Sequence, residues 1–248
     1  MDSAGGYGSN RLAQRLAGDS KWRARAVGWL YPPMPTLNVI PEAARAIIRD
    51  AVFASDAVIL NVGAGGAGGS GAWLWRTVPP SCRVIHLDLG SAPGISLIAD
   101  AAVLPFADDS VDAIALQAVL EHVRQPESVI EDAHRVLKPG GHLYIEMPFL
   151  QGFHADPDDY QRYTLEGLRW HLRRFHLVES GVSVGPFCTL VWLLRDGASS
   201  WTAQPLIHAA FRFAAGWLFS PLRYLDFLVR NNRVSTRLAN EFYALVRK

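Results

Sequence analysis

Residues 57–68 read Ala57-Val58-Ile59-Leu60-Asn61-Val62-Gly63-Ala64-Gly65-Gly66-Ala67-Gly68. A short apolar run, long enough for one buried strand, stops at a series of glycines. Without a Cβ, such a turn reaches φ > 0 and lets its backbone approach a ligand closely. A helix starting just afterwards would aim its unpaired N–H groups at the same place, where a carboxylate or phosphate is favoured. Strand, glycine turn and helix together point to a nucleotide-cofactor site. Taken alone, Gly63, Gly65 and Gly68 also fit the dinucleotide fingerprint and some structural turns.

Outward from this stretch, apolar strand candidates at 57–62, 83–88, 95–99, 111–117 and 141–147 alternate with helical patterns at 68–77, 118–123, 127–137 and 164–174. Alternation of this kind predicts right-handed crossovers and a parallel sheet covered on both faces. The strands are nearly continuous apolar runs, as burial on two sides requires. Before them, residues 1–55 read as an extension: a flexible start, an irregular lead-in, and a helix opened by Pro41 with Ala44, Ile47, Ile48 and Val52 at helical spacing. After them, His176–Val184, Phe187–Leu194 and Glu241–Arg247 are strand-like. The intervening residues, about 200–232, form an aromatic-rich helical insertion in which Pro205 and Pro221 open two helices and Ser220 is a candidate N-cap. Residues 56–248 are read as one domain that contains this insertion.

Composition narrows the function. Among 248 residues half are hydrophobic, and the formal net charge is +1. A chain of this size buries a substantial core, and so small a charge gives a polyanion no field to follow, so no nucleic-acid partner is expected. Cys82 and Cys188 have no metal-like spacing; neither a disulfide framework nor a metal site is expected, and a cytoplasmic location fits. No signal peptide is visible. The apolar stretch from Phe213 to Leu222 is too short to span a bilayer, which takes about 20 residues. The expectation is a soluble or peripheral protein.

Read in order, "VILNVGAGGAG", "VIHLDLG" ending a strand at Asp88, "ISLIADAAVLPFADDSVDAIAL", "QAVLEHV" and "RVLKPGGHLYIEMPF" make the chain resemble the class I S-adenosylmethionine-dependent methyltransferases, and within them the type 11-like small-molecule subgroup, over roughly residues 55–185. The resemblance implies a Rossmann-like α/β fold, a mostly parallel seven-stranded sheet with helices on both faces. It implies S-adenosylmethionine as cofactor. Asn61, Gly63, Ala64 and Gly65 would line its methionine part, Asp88 and Leu89 its ribose, Asp100 and Ala101 its adenine beside Leu104, Pro105 and Phe106, with Gln117 also at the site. The chain departs from the family pattern at Asn61, where an acid is frequent, and at Ala67, where glycine is common.

The acceptor side is expected after the fifth strand, in "PFLQGFHADPDDYQRYTLEGL". His154 is the candidate base and Asp156 its orienting or sugar-binding partner, while Asp158, Tyr160 and Arg162 are candidate substrate contacts. The plainer reading stands beside it: Pro157 and Asp158 make a turn, Thr164 caps the next helix, and Arg162 pairs with an aspartate. The wording resembles family members associated with glycan and surface-polysaccharide synthesis. It implies O-methylation of a sugar, glycan or sugar-lipid. For the insertion, packing on the core or across a homodimer, a lid over the acceptor, and contact with a membrane or a lipid-linked acceptor all stay open. From another class, a non-catalytic module binding partners through the insertion is the alternative, supported by Asn61 and Ala67.

Overall fold

The computed structural model describes residues 31–65, 72–76, 78–155 and 157–248. The extension up to residue 30, the loop from Gly66 to Gly71 with Ala67, and Asp156 lie outside the described residues. Contacts divide the described residues into two compact units: those within 40–149, 160–183 and 241–248 form one, and those within 31–39, 150–159 and 184–240 form the other.

The first unit holds the sheet. In chain order it contains α1 (Glu42–Val52), β1 (Val58–Val62), α2 (Ala72–Trp75), β2 (Arg83–Asp88), β3 (Leu97–Ile98), β4 (Val111–Gln117), a 3₁₀ turn (Leu120–His122), α3 (Pro126–Val136), β5 (Leu137–Pro148), α4 (Leu165–His171), β6 (His176–Val184) and β7 (Glu241–Arg247). The strand order is β3-β2-β1-β4-β5-β7-β6. Pairing is parallel from β3 through β5, and β7 runs antiparallel to β5. The expected seven-stranded, mostly parallel sheet is therefore present. Strand order reverses between β1 and β4, so the carboxyl ends of those two strands flank the crevice where open α/β sheets bind ligands.

Register explains the core. Ile59, Ala113 and Ala115 share a sheet face with Tyr144, Tyr243 and Leu245. Onto it α1 lays Ala44, Ile48 and Val52, the last two with no exposed surface. That i, i+4, i+8 stripe is the periodicity read from the sequence. Opposite lie Leu60, Ile114, Leu143 and Ile145, all fully buried, and on the flanking helix α3 Val129, Ile130, Ala133 and Val136 are buried at helical spacing.

The second unit is helical: α5 (Pro186–Ser199), α6 (Pro205–Phe219), a 3₁₀ helix (Ser220–Leu225), α7 (Asp226–Val229) and a further 3₁₀ helix (Arg233–Leu238). Here the sequence reading needs correction, because Phe187–Leu194 belongs to a helix. Its apolar run lacks strand alternation. Instead Cys188, Val191, Trp192 and Ser199 are buried at helical intervals, and Pro186 occupies the first turn. The start of α5 is held by the Asp226 carboxylate, which accepts the N–H groups of Phe187 (2.8 Å) and Cys188 (2.9 Å) and answers the helix dipole. Similarly, Pro221 opens a 3₁₀ helix without a side-chain cap from Ser220, and residues 120–122 make one 3₁₀ turn where a longer helix was expected.

Candidate functional site

The glycine turn after β1 is tied to the neighbouring strands. Gly63 and Gly65 have φ of +66° and +63°, the left-handed region that a side chain strains. A Cβ on Gly63 would stand 2.5 Å from Cγ2 of Val119, which follows β4, so the backbone passes close against the carboxyl end of that strand. Ala64 donates its N–H to the Leu87 carbonyl (3.1 Å), holding the turn against β2. Ala118, at the end of β4, also has positive φ, +54°, although it is not glycine. Strain of this kind persists only where surrounding structure imposes it, and it clusters at ligand sites.

Asp88, the last residue of β2, is the junction. Its Oδ2 accepts the Gly65 N–H at 2.8 Å and its Oδ1 accepts the Gly90 N–H at 3.1 Å. Its main-chain carbonyl accepts the Ala99 N–H at 3.0 Å, which fixes the segment leading to Asp100. Asp100 is exposed and folds its own turn, Oδ1 accepting the Ala102 N–H at 2.9 Å, while Ala101 is buried beneath it. The loop that follows is held from α3. Asp132 accepts the Leu104 N–H, and Arg135 donates to the Leu104 and Phe106 carbonyls. Leu89 lies exposed beside Asp88.

These residues fit an adenosyl ligand. A carboxylate accepts about four hydrogen bonds, and the N–H groups of Gly65 and Gly90 use one on each Asp88 oxygen, which leaves room for two vicinal hydroxyls. The turn at Gly63 has no space for a Cβ because Val119 fills that position, which keeps the glycine backbone close to the end of β4.

Two predicted cofactor residues, Asn61 and Gln117, are buried and make hydrogen bonds within the protein. The Asn61 amide donates to Nδ1 of His86 (2.9 Å). Burial lowers the His86 pKa, keeping the ring neutral and Nδ1 an acceptor. The Gln117 amide receives the indole N–H of Trp75 (3.0 Å) and donates to Glu146 Oε1 (3.1 Å). Onto that same oxygen converge Trp73 Nε1 (3.1 Å) and the Tyr144 hydroxyl. So α2, the helix after the glycine loop, is pinned to the sheet through two indoles, and Glu146 is the anchor.

Glu146 and Glu241 escaped the sequence reading. Both are more than nine-tenths buried at the edge of the sheet where β1 and β4 end. In the β5–β7 register Glu146 faces Tyr243 and Glu241 faces Pro148, so the two carboxyls sit on one side of the sheet. Burial and the adjacent Glu146 push the Glu241 carboxyl well above the ordinary carboxylate range. An acid interrupting the apolar β5 run "LYIEMP" was the available signal, since an acid there needs partners. Glu121 is also fully buried, with His122 Nε2 3.8 Å from its carboxylate.

Of the predicted acceptor residues, Tyr160 and Arg162 belong to the sheet-bearing unit. Tyr160 donates its N–H to the Glu121 carbonyl (2.8 Å), and its hydroxyl receives Arg124 Nε (2.8 Å). Arg162 donates to the Gln161 carbonyl (2.8 Å). Thr164 caps α4 by accepting the Gly167 N–H (3.0 Å), as the plainer reading had it. His154 and Asp158 belong to the helical unit. Asp158 is exposed; His154 is buried, with Nδ1 2.9 Å from the Gly152 carbonyl. A carbonyl can only accept, so Nδ1 carries a proton, and it is the neutral form of the ring that would offer a lone pair at Nε2. The acid beside His154 is Asp159, which accepts the His154 backbone N–H at 2.8 Å and lies 3.8 Å from Nδ1.

Comparison with known proteins agrees with this geometry. Residues 60–145 match a family described as "Methyltransferase domain". The ubiquinone/menaquinone biosynthesis C-methyltransferase UbiE of Bartonella bacilliformis is 34% identical over 42% of this chain and 55% of its own length. The chain thus spans about half the length of that relative, and about a quarter of some others. Among solved structures, the [4+2]-cyclase SpnF superposes with a TM-score of 0.51 at 16% identity, covering 84% of this chain and 80% of its own. The 1,6-didemethyltoxoflavin-N1-methyltransferase of Burkholderia thailandensis gives 0.50 at 17% identity, covering 100% and 93%. The two structures establish the fold, which hosts more than one reaction. The match over residues 60–145 and the sheet order around the glycine turn thus give this chain a methyltransferase domain with the fold of the class I S-adenosylmethionine-dependent enzymes.

Proposed function

We propose that this protein transfers the methyl group of S-adenosylmethionine to a small acceptor. The observation that carries the reading is the double engagement of Asp88, side chain to the glycine turn and main chain to the Asp100 segment, at the end of the strand next to the reversal point of the sheet. When bound, the cofactor supplies an electrophilic methyl on a sulfonium centre. Asp88 receives the ribose hydroxyls, Asp100, Ala101 and Leu104 flank the adenine, and Gly63, Ala64 and Gly65 admit the methionine part. Leu89 covers the ribose edge. Asn61 and Gln117 remain proposed cofactor contacts, held in place by their hydrogen bonds with His86, Trp75 and Glu146. Holding acceptor and donor in line supplies roughly 7–11 kcal/mol, and a placed base adds about 10²–10⁴-fold. Orientation is therefore the larger part of the work.

For the acceptor, we propose an oxygen of a sugar or sugar-lipid, with His154 taking its proton and Asp158, Tyr160 and Arg162 as substrate contacts. Support comes from the polar segment 154–162 and from the Gly152 carbonyl, which fixes the orientation of the His154 ring through Nδ1. Asp156 stays in the proposal as a sugar contact. A quinol ring carbon is the second reading, favoured by the C-methyltransferase of ubiquinone/menaquinone biosynthesis found in Bartonella.

The deciding experiment supplies methyl-¹³C cofactor with panels of nucleotide sugars, lipid-linked sugars and quinols, and reads the product by NMR. An O-methyl signal supports the first reading and a ring C-methyl signal the second. Cofactor binding without methylation of any panel member favours the non-catalytic module, and absence of cofactor binding removes the proposal.

A further inference from the structure

Helix α6 is inverted with respect to water. A surface helix ordinarily turns its apolar side inward and its polar side out. Here the polar side chains of Pro205–Phe219, His208 and Arg212, both face the helical unit's interior. His208 Nδ1 lies 3.1 Å from the Ser199 carbonyl, and Arg212 lies 3.5 Å from Asp196 of α5. Ala215 and Gly216 complete this inner seam. Gly216 packs so tightly that a Cβ there would stand 2.7 Å from Pro32. The outer side presents Leu206, Ile207, Phe211, Trp217 and Leu218, with Leu206 86% and Leu218 70% exposed. No charged or amide side chain interrupts them. Beyond the helix the apolar surface continues through Tyr224, Phe227 and Leu228, and Trp201 precedes it.

Charge identifies what covers this face. From Gly197 to Asn240 the chain has five arginines (212, 223, 230, 233 and 237) and one acid, Asp226. That acid is fully buried and spent on the start of α5. Arg230, Arg233 and Arg237 are exposed. A patch of this size on a water-exposed surface marks an interaction site. Exposed apolar residues with Trp and Tyr, in a segment whose exposed charges are arginines without balancing acids, match the interface of an anionic bilayer. Fifteen residues make a helix of about 22 Å, short of the roughly 30 Å hydrocarbon core. Indeed, among the described residues no helix is long and apolar enough to cross a membrane. The helix lies in the interface instead of spanning it.

We propose that α6, with the arginine-bearing segment 220–238, seats the protein on an anionic phospholipid surface through the outer face of that helix. The inference stands on the helical unit alone and is independent of the acceptor chemistry.

The test is vesicle flotation of the full chain with phosphatidylcholine vesicles and with phosphatidylcholine–phosphatidylglycerol vesicles, paired with light scattering to read oligomeric state. The expected result is flotation with the anionic vesicles, quenching of tryptophan fluorescence by brominated acyl chains, and at least about tenfold weaker binding for Leu206→Glu/Leu218→Glu. Because both positions are exposed, that variant should fold normally, as circular dichroism will report. Arg230→Gln/Arg233→Gln/Arg237→Gln should lose the preference for phosphatidylglycerol and retain weak binding to both vesicles. Failure of the unmodified protein to float with either vesicle overturns the proposal. If light scattering then gives a dimer that the double glutamate variant converts to monomer, the face is a protein interface.

Discussion

Gly65 and Asp88 are 23 residues apart, yet the N–H of one meets the carboxylate of the other at 2.8 Å. The glycine turn is thereby held in shape by the side chain proposed to bind the ribose, so cradle and ligand contact are coupled. Asp88→Ala should weaken S-adenosylhomocysteine binding by at least about 100-fold, since charged hydrogen bonds contribute about 1.5–3 kcal/mol each. Asp88→Asn keeps one acceptor oxygen and should lose less. Isothermal calorimetry checks both, with circular dichroism as the control for folding. Equal affinity in all three proteins would remove the ribose assignment.

Gly63 is constrained twice, by its positive φ and by Val119. Gly63→Ala should destabilise the protein by about 1–3 kcal/mol from backbone strain, with a further cost from overlap with Val119. Adding Val119→Ala should recover the overlap part and leave the strain. Thermal unfolding of the single and double variants separates the two contributions. A fully restored midpoint in the double variant would mean that conformation at residue 63 is not limiting.

Much of the sheet was legible because each strand candidate carries its own local signal. Continuous apolar runs marked β1, β2 and β4, and the glycine turn marked the crevice. The acids ending or following strands, Asp88 and Asp100, were legible for the same reason. What stayed hidden depends on partners distant in sequence. Phe187–Leu194 reads as a strand until Asp226, 39 residues on from Phe187, is seen capping its first turn. That Gln117 is held by Trp75 and Glu146 could not be read from its own neighbourhood, since the partners lie 42 and 29 residues away. Glu146 and Glu241 are 95 positions apart, and only the antiparallel pairing of β5 with β7 makes them neighbours.

That pair gives a pH dependence of stability. The folded Glu241 carboxyl titrates well above its ordinary value because it is buried beside Glu146. The native state therefore holds a proton that the unfolded chain has released, and stability falls as pH rises from the ordinary carboxylate range towards the folded value. Glu241→Gln removes this slope, so its stability relative to the unmodified protein should grow with pH across that window. The half-buried histidines His86, His134 and His142, all with lowered pKa, slope the other way below their ordinary 6.5, and they cancel in the difference. Urea unfolding of both proteins across the window measures it. Parallel profiles would mean that Glu241 is ionised in the folded protein.

His154 is held by two separate contacts, and they make different demands on substitution. Its ring orientation comes from Nδ1 on the Gly152 carbonyl, and its backbone from the Asp159 carboxylate. As the proposed base, His154→Ala should lower kcat by about 10²–10⁴-fold and leave cofactor affinity unchanged. Asp159 is a positioning residue in this scheme, acting through the main chain of residue 154. Asp159→Asn retains an oxygen for that N–H and should keep most of the turnover. Asp159→Ala should lower kcat with little change in the KM for cofactor. A merely structural Asp159 would instead lower thermal stability without altering kcat in the folded fraction. If His154→Ala turns over at the unmodified rate, the proton leaves by another route and the acceptor needs no base from this segment.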